Sequence, residues 1–120
     1  VIIHTKVKFD SAHRLLKHEG KCKNLHGHTW IAEIWIDGDR KEDGMIEDFG
    51  KISKYIDEVF DHRAILHESD PFVIAMQYAH CDVTVMKNHP TVEGIAEKIK
   101  KDLNATKVRV WESEENYAEV

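Results

Sequence analysis

The sequence predicts an α+β domain: an antiparallel β-sheet with two main helices packed on one face. Two stretches near the N-terminus alternate apolar and polar residues, the period of a half-buried strand. Two later stretches space their apolar residues as a helix stripe does, three and four positions apart. Short strand-like runs close the chain. At 120 residues this is one domain by length, 1–120.

Each element has its own signal. Residues 2–9 place Ile3, Thr5, Val7 and Phe9 on one face, which predicts a strand. Residues 14–25 are polar, contain Gly20 and four basic side chains, and read as a loop. Residues 29–37 alternate again, with Trp30, Ala32, Ile34 and Ile36 on one side and Glu33 and Asp37 on the other. The run from Asp37 to Gly44 is a turn. Asp48 is placed to cap a helix running to about residue 60, with Ile52, Tyr55, Ile56, Val59 and Phe60 as its stripe.

The middle of the chain is less regular. Ser69-Asp70-Pro71 has the form of a helix start, with Phe72, Val73, Met76 and Ala79 as a short apolar stripe. Val83–Met86 reads as a brief strand, and Asn88-His89-Pro90 as a turn. Thr91 caps the second clear helix, whose stripe is Val92, Ile95, Ala96, Ile99 and Leu103. Residues 106–111 predict a strand, and Tyr117–Val120 a last one. The expected order is strand, strand, helix, helix, strand, strand. Such a sheet has two edges to protect, and pairing with another subunit protects them.

Composition narrows the function classes. The net charge is −5, and basic residues are interspersed with acidic ones, so no nucleic-acid surface is expected. No apolar run is long enough to span a membrane. No charged segment followed by an apolar one opens the sequence, so secretion is not expected. A reducing, cytoplasmic setting then favours free thiols at Cys22 and Cys81. Nine histidines are many for this length.

Three of those histidines form a pattern, H-x12-H-x-H, at His13, His26 and His28. Two histidines one residue apart on a strand share a face. With His13 they make a three-nitrogen site with an open position, the ligand count of a catalytic zinc. The competing reading is three ordinary half-buried histidines. A structural site closed by Cys22 is the other alternative, disfavoured because no second cysteine lies close by. Cys22 also has two readings. It is either an inert buried thiol or, between Lys21 and Lys23, a thiolate favoured by adjacent positive charge. Asp61-His62 follows a predicted helix; it is a helix-end histidine or, near a cysteine, a proton relay. Glu112 ends a predicted strand as either a solvated acid or a carboxylate pointing inward.

Six short motifs occur in one order: Phe9-Asp10-Ser11-Ala12-His13, Cys22-x3-His26-Gly27-His28, Asp48-Phe49, Asp61-His62, Pro90-Thr91-x-Glu93 and a late Glu112. Together they resemble the 6-pyruvoyltetrahydropterin synthase family, which includes the 6-carboxytetrahydropterin synthases of 7-deazaguanine synthesis. The resemblance spans nearly the whole chain. It implies a T-fold, in which subunits join their sheets into a barrel, and a homohexamer built from two trimers with active sites at subunit interfaces.

The resemblance also implies roles. His13, His26 and His28 match zinc ligands, and Cys22 matches a catalytic cysteine that moves a proton on the substrate side chain. Asp61 and His62 match a relay supplied by a neighbouring subunit. Glu112 matches the carboxylate that holds the pterin's amino-pyrimidine edge. Thr91 and Glu93 match a segment lining the pterin pocket. The three residues between Cys22 and His26 resemble the carboxytetrahydropterin branch; the animal pyruvoyl branch has a longer interval. A third branch, forming a hydroxymethyl pterin, has glutamate in the cysteine's place; here Cys22 is present and Glu19 lies in the same loop. Residues 67–87 read as an insertion relative to compact bacterial members. The expected reaction converts 7,8-dihydroneopterin triphosphate to 6-carboxy-5,6,7,8-tetrahydropterin with loss of triphosphate and acetaldehyde. The alternatives are triphosphate elimination alone to 6-pyruvoyltetrahydropterin, formation of a hydroxymethyl pterin, or a non-catalytic pterin- or purine-binding module with structural zinc.

Overall fold

The structure, a computed structural model, describes all of residues 1–120. Two long strands, β1 (Ile2–His13) and β2 (His26–Asp37), pair antiparallel along their whole length. Their register sets Phe9 opposite Trp30, Ser11 opposite His28 and His13 opposite His26. Then follow α1 (Phe49–Val59), β3 (Ala64–His67), α2 (Phe72–Tyr78), β4 (Val83–Met86), α3 (Val92–Leu103), β5 (Lys107–Trp111) and β6 (Tyr117–Glu119). The strands form one six-stranded sheet in the order β4-β3-β1-β2-β5-β6.

The α+β class and the two main helices are as expected, and both paired strands run further than their alternation indicated. The sheet is not wholly antiparallel, however. β3 joins β1 in parallel at Ala12 and His13, and β4 continues the parallel pairing. Ala64, Ile65 and Leu66 are all buried, so this strand shows no alternation and had no period-two signal. Of the α2 stripe, Val73 and Met76 are half-buried while Phe72 and Ala79 are exposed, and no residue of that helix is fully buried.

The inward faces of β1, β2 and β5 supply Phe9, Trp30, Ala32, Ile34, Val108 and Val110 to the core. Helices α1 and α3 cover them with Ile52, Ile56, Ile95, Ala96 and Ile99. Truncating Ile56, which is fully buried, to alanine is expected to cost about 2–5 kcal/mol. The helix starts are capped as their sequences suggest. Asp48 accepts the Gly50 amide at 2.7 Å, and Thr91 accepts the Gly94 amide at 3.0 Å. From Ile2 to Phe9 the outer edge of β1 faces no strand. No helix is long and apolar enough to cross a membrane.

Candidate metal centre and active site

The register of β1 and β2 creates the histidine cluster. Directly opposed residues in an antiparallel pair bring their side chains close together, and His13 opposes His26. His28 lies one pleat repeat further along β2 on the same face. A one-residue slip would send one strand's imidazoles to the opposite side of the sheet. One ligand atom from each histidine lies within 4.8 Å of the others.

Backbone carbonyls orient two of the rings. His13 Nδ1–H donates to the Pro90 carbonyl at 2.7 Å, and His26 Nδ1–H donates to the Asn24 carbonyl at 2.7 Å. A carbonyl oxygen only accepts, so each of these nitrogens holds the proton and each Nε2 keeps its lone pair. The Nε2 atoms of His13 and His28 are buried and have no hydrogen-bond partner. The indole of Trp30 meets the rings of His13 and His28 edge-on, with centroids 4.8 and 5.2 Å away. Burial lowers the pKa of His13, opposed by the Pro90 hydrogen bond and reinforced by neighbouring His26. Burial also lowers that of His28, against the pull of Glu112. Neutral imidazoles with free, inward-facing nitrogens are what a metal ion requires. The donor set therefore fits a zinc ion, with no cysteine needed to complete it.

Lys21, Cys22, His26, His28 and Glu112 line one cavity of about 500 Å³. Cys22 is half-buried in a single 3-10 turn, Lys21–Lys23, and its carbonyl accepts the Leu15 amide at 2.9 Å. Glu112 reaches in from the end of β5, with Oε1 3.7 Å from His28 Nε2. Of the two readings of Glu112, the structure places the carboxylate at the cavity.

Asp61 and His62 form a second constellation. His62 Nδ1–H donates to Asp61 Oδ2 at 2.7 Å, and Asp61 Oδ1 accepts the Asp10 amide at 2.9 Å. The His62 amide in turn donates to the Asp10 carbonyl at 2.7 Å. His62 sits at φ 57°, an uncommon conformation held by these bonds. Within one chain His62 lines a second cavity, of about 710 Å³, which His28 also borders, together with Asp10, Arg63, Met76 and Cys81. The structure thus brings Cys22, His26, His28 and Glu112 to one cavity, while His62 lines another that meets His28 but neither Cys22 nor Glu112.

The 6-pyruvoyl tetrahydropterin synthase family model matches residues 2–120. The chain belongs to this family. A 6-carboxy-5,6,7,8-tetrahydropterin synthase of Rickettsia conorii is 39% identical over 106 residues, 82% of this chain and 76% of that protein. A putative 6-carboxy-5,6,7,8-tetrahydropterin synthase of Pyrococcus horikoshii is 36% identical over 139 aligned positions, 98% of this chain and 88% of its own length. Among solved structures, the 6-pyruvoyl tetrahydropterin synthase of Caenorhabditis elegans superposes with TM-score 0.68 at 23% identity, covering 100% of this chain and 94% of that one. That likeness shows the shared fold.

Other residues of this pterin synthase family member stand further from the cavity. Thr91 is occupied as the cap of α3, and neither Thr91 nor Glu93 lines the cavity. Glu19 is exposed and does not line it either. Trp30, Asn24 and Pro90 also shape the site. Trp30 packs edge-on against His13 and His28, and the other two act through backbone carbonyls, which no side-chain pattern announces.

Proposed function

We propose that this family member is a zinc-dependent enzyme converting 7,8-dihydroneopterin triphosphate to 6-carboxy-5,6,7,8-tetrahydropterin, releasing triphosphate and acetaldehyde for 7-deazaguanine synthesis. The observation carrying this reading is one cavity lined by Cys22, Glu112 and two members, His26 and His28, of the three-histidine cluster. The names of the Rickettsia and Pyrococcus relatives support the carboxy product. Two unpaired cysteines are compatible with a cytoplasmic setting.

His13, His26 and His28 hold the zinc, which when bound polarises the oxygens of the substrate side chain. Cys22, as thiolate, takes a proton from a side-chain carbon and returns it to another. Glu112 accepts two parallel N–H bonds from the amino-pyrimidine edge and so fixes the pterin ring. Thr91 and Glu93 belong to the segment that borders the pterin from outside the described cavity. Elimination expels triphosphate, and the later loss of two side-chain carbons as acetaldehyde takes up one water.

Asp61 and His62 handle the proton at the side-chain oxygen, donated from a second copy of the chain. Their separation from Cys22 within one chain supports this division. So does the unpaired edge of β1 from Ile2 to Phe9. The radius of gyration, 15.2 Å, also exceeds the roughly 13.6 Å of a compact chain of this length. The assembly is a homohexamer of two trimers, with sheets joined edge to edge into barrels.

Mass spectrometry of products from 7,8-dihydroneopterin triphosphate tests the proposal. A 6-carboxy pterin with acetaldehyde supports it. A 6-pyruvoyl or hydroxymethyl pterin moves the protein to a sister reaction, and unchanged substrate leaves a binding module.

A further inference from the structure

In the segment from His67 to Pro90, α2 buries no residue, and Met86 of β4 is the segment's member of the core cluster. β4 ties the segment to the sheet by parallel pairing with β3, and two further attachments lie on either side of His13. Arg14, the next residue along the chain, donates from Nε to Asp70 Oδ2 at 2.7 Å and from a terminal nitrogen to Asp70 Oδ1 at 2.5 Å. This two-pronged pair is largely closed to water, with the Asp70 side chain 1% exposed. Asp70 also accepts the Phe72 amide at 2.8 Å, and the guanidinium of Arg14 lies 3.8 Å over the Phe72 ring.

The other end of the segment holds the turn that reaches His13. The rings of His67 and His89 stack with centroids 4.4 Å apart. Asn88 Nδ2 donates to the Gly94 carbonyl at 3.0 Å. A Cβ on Gly94 would lie 2.0 Å from the His89 carbonyl oxygen, so the turn is pressed against the start of α3. The next residue, Pro90, offers the carbonyl that His13 Nδ1 grips at 2.7 Å.

We propose that Arg14 and Asp70 are a positioning pair for the metal centre. They lock the backbone beside His13 to the segment that delivers the Pro90 carbonyl, so the imidazole is fixed at both its root and its far nitrogen. This inference rests on the zinc reading above. A buried pair of this kind adds little net stability by itself, because desolvation offsets its attraction. It defines geometry, which here is the placement of a ligand. Outer partners of metal-bound histidines commonly alter metal affinity by about 10-fold to 100-fold.

Zinc affinity of the assembled protein, measured by competition with a chromogenic chelator, tests this. Asp70→Asn should weaken zinc binding about 10-fold or more and change the visible spectrum of the cobalt-substituted protein. Asp70→Glu, which restores the charge, should recover part of the loss. In Arg14→Gln/Asp70→Asn the loss should be no greater than in the worse single variant. Ile56→Val, a core change remote from the pair, should lower the melting temperature and leave zinc affinity unchanged. Should Asp70→Asn fail to fold, Arg14→Lys carries the test, since it keeps the charge but loses the fork. Folded variants with zinc affinity within about twofold of wild type would overturn the positioning role. A wild-type protein that binds no zinc would instead refute the metal reading beneath it.

Discussion

Nδ1 of His13 lies 2.7 Å from the carbonyl oxygen of Pro90, 77 residues further along the chain. That contact sets the tautomer of the most buried histidine and leaves its buried Nε2 without a proton or a hydrogen-bond partner. The histidine cluster is thus held by backbone from the turn before α3 as well as by the β1–β2 register.

Cys22→Ala separates packing from chemistry. If the thiol transfers a proton, turnover falls about 100-fold or more. Zinc content stays unchanged, because the three histidines remain. Steady-state kinetics with metal analysis on the same sample checks both. Turnover equal to wild type would assign Cys22 to packing.

Glu112→Gln keeps the side-chain shape but sets an amide donor against the pterin N–H groups. The loss falls on binding, about 1.5–3 kcal/mol for a hydrogen bond to a charged group. Equilibrium titration with a pterin measures it. Unchanged affinity would return Glu112 to the solvated turn.

His62 titrates above the ordinary histidine value because Asp61 hydrogen-bonds it and adds an opposite charge, against slight desolvation. Asp61 is held low first by the Asp10 amide and also by His62, against desolvation. The folded state therefore binds the His62 proton more tightly than the unfolded chain does. The stabilisation is fully present below about pH 6.5, the unfolded value, and is lost as pH rises through the folded pKa. A proton NMR titration should give His62 a midpoint above 6.5, and Asp61→Asn should bring it down. An unshifted wild-type midpoint would contradict the pairing.

The unpaired β1 edge predicts assembly. Light scattering at micromolar concentration should show a species near six times the 13.9 kDa chain mass. A fully active monomer would refute a site shared between copies.

The parts of this fold that were legible in sequence are those with a one-sided environment. β1 buries one face and exposes much of the other, and β2 alternates up to Trp30, so Phe9 and Trp30 announce their faces. Further along β2, however, Glu33 is buried on the opposite side. Asp48 and Thr91 mark helix starts because their side chains replace missing backbone partners. The H-x12-H-x-H spacing was readable because it coincides with the strand register. β3 left no such trace, since Ala64, Ile65 and Leu66 are buried without alternation. The apolar spacing of Phe72, Val73 and Met76 marks a helix that stays near the surface, with Val73 and Met76 half-buried and Phe72 exposed. The orienting carbonyls of Asn24 and Pro90 belong to the backbone, whose placement depends on the whole chain.

The most direct test of the central claim is the zinc content per chain, by elemental analysis, of protein purified without chelator. The account predicts one zinc in the wild type and in Cys22→Ala, and none in folded His26→Ala. A wild-type protein that is metal-free yet fully active, or one whose zinc is lost in Cys22→Ala, would contradict it.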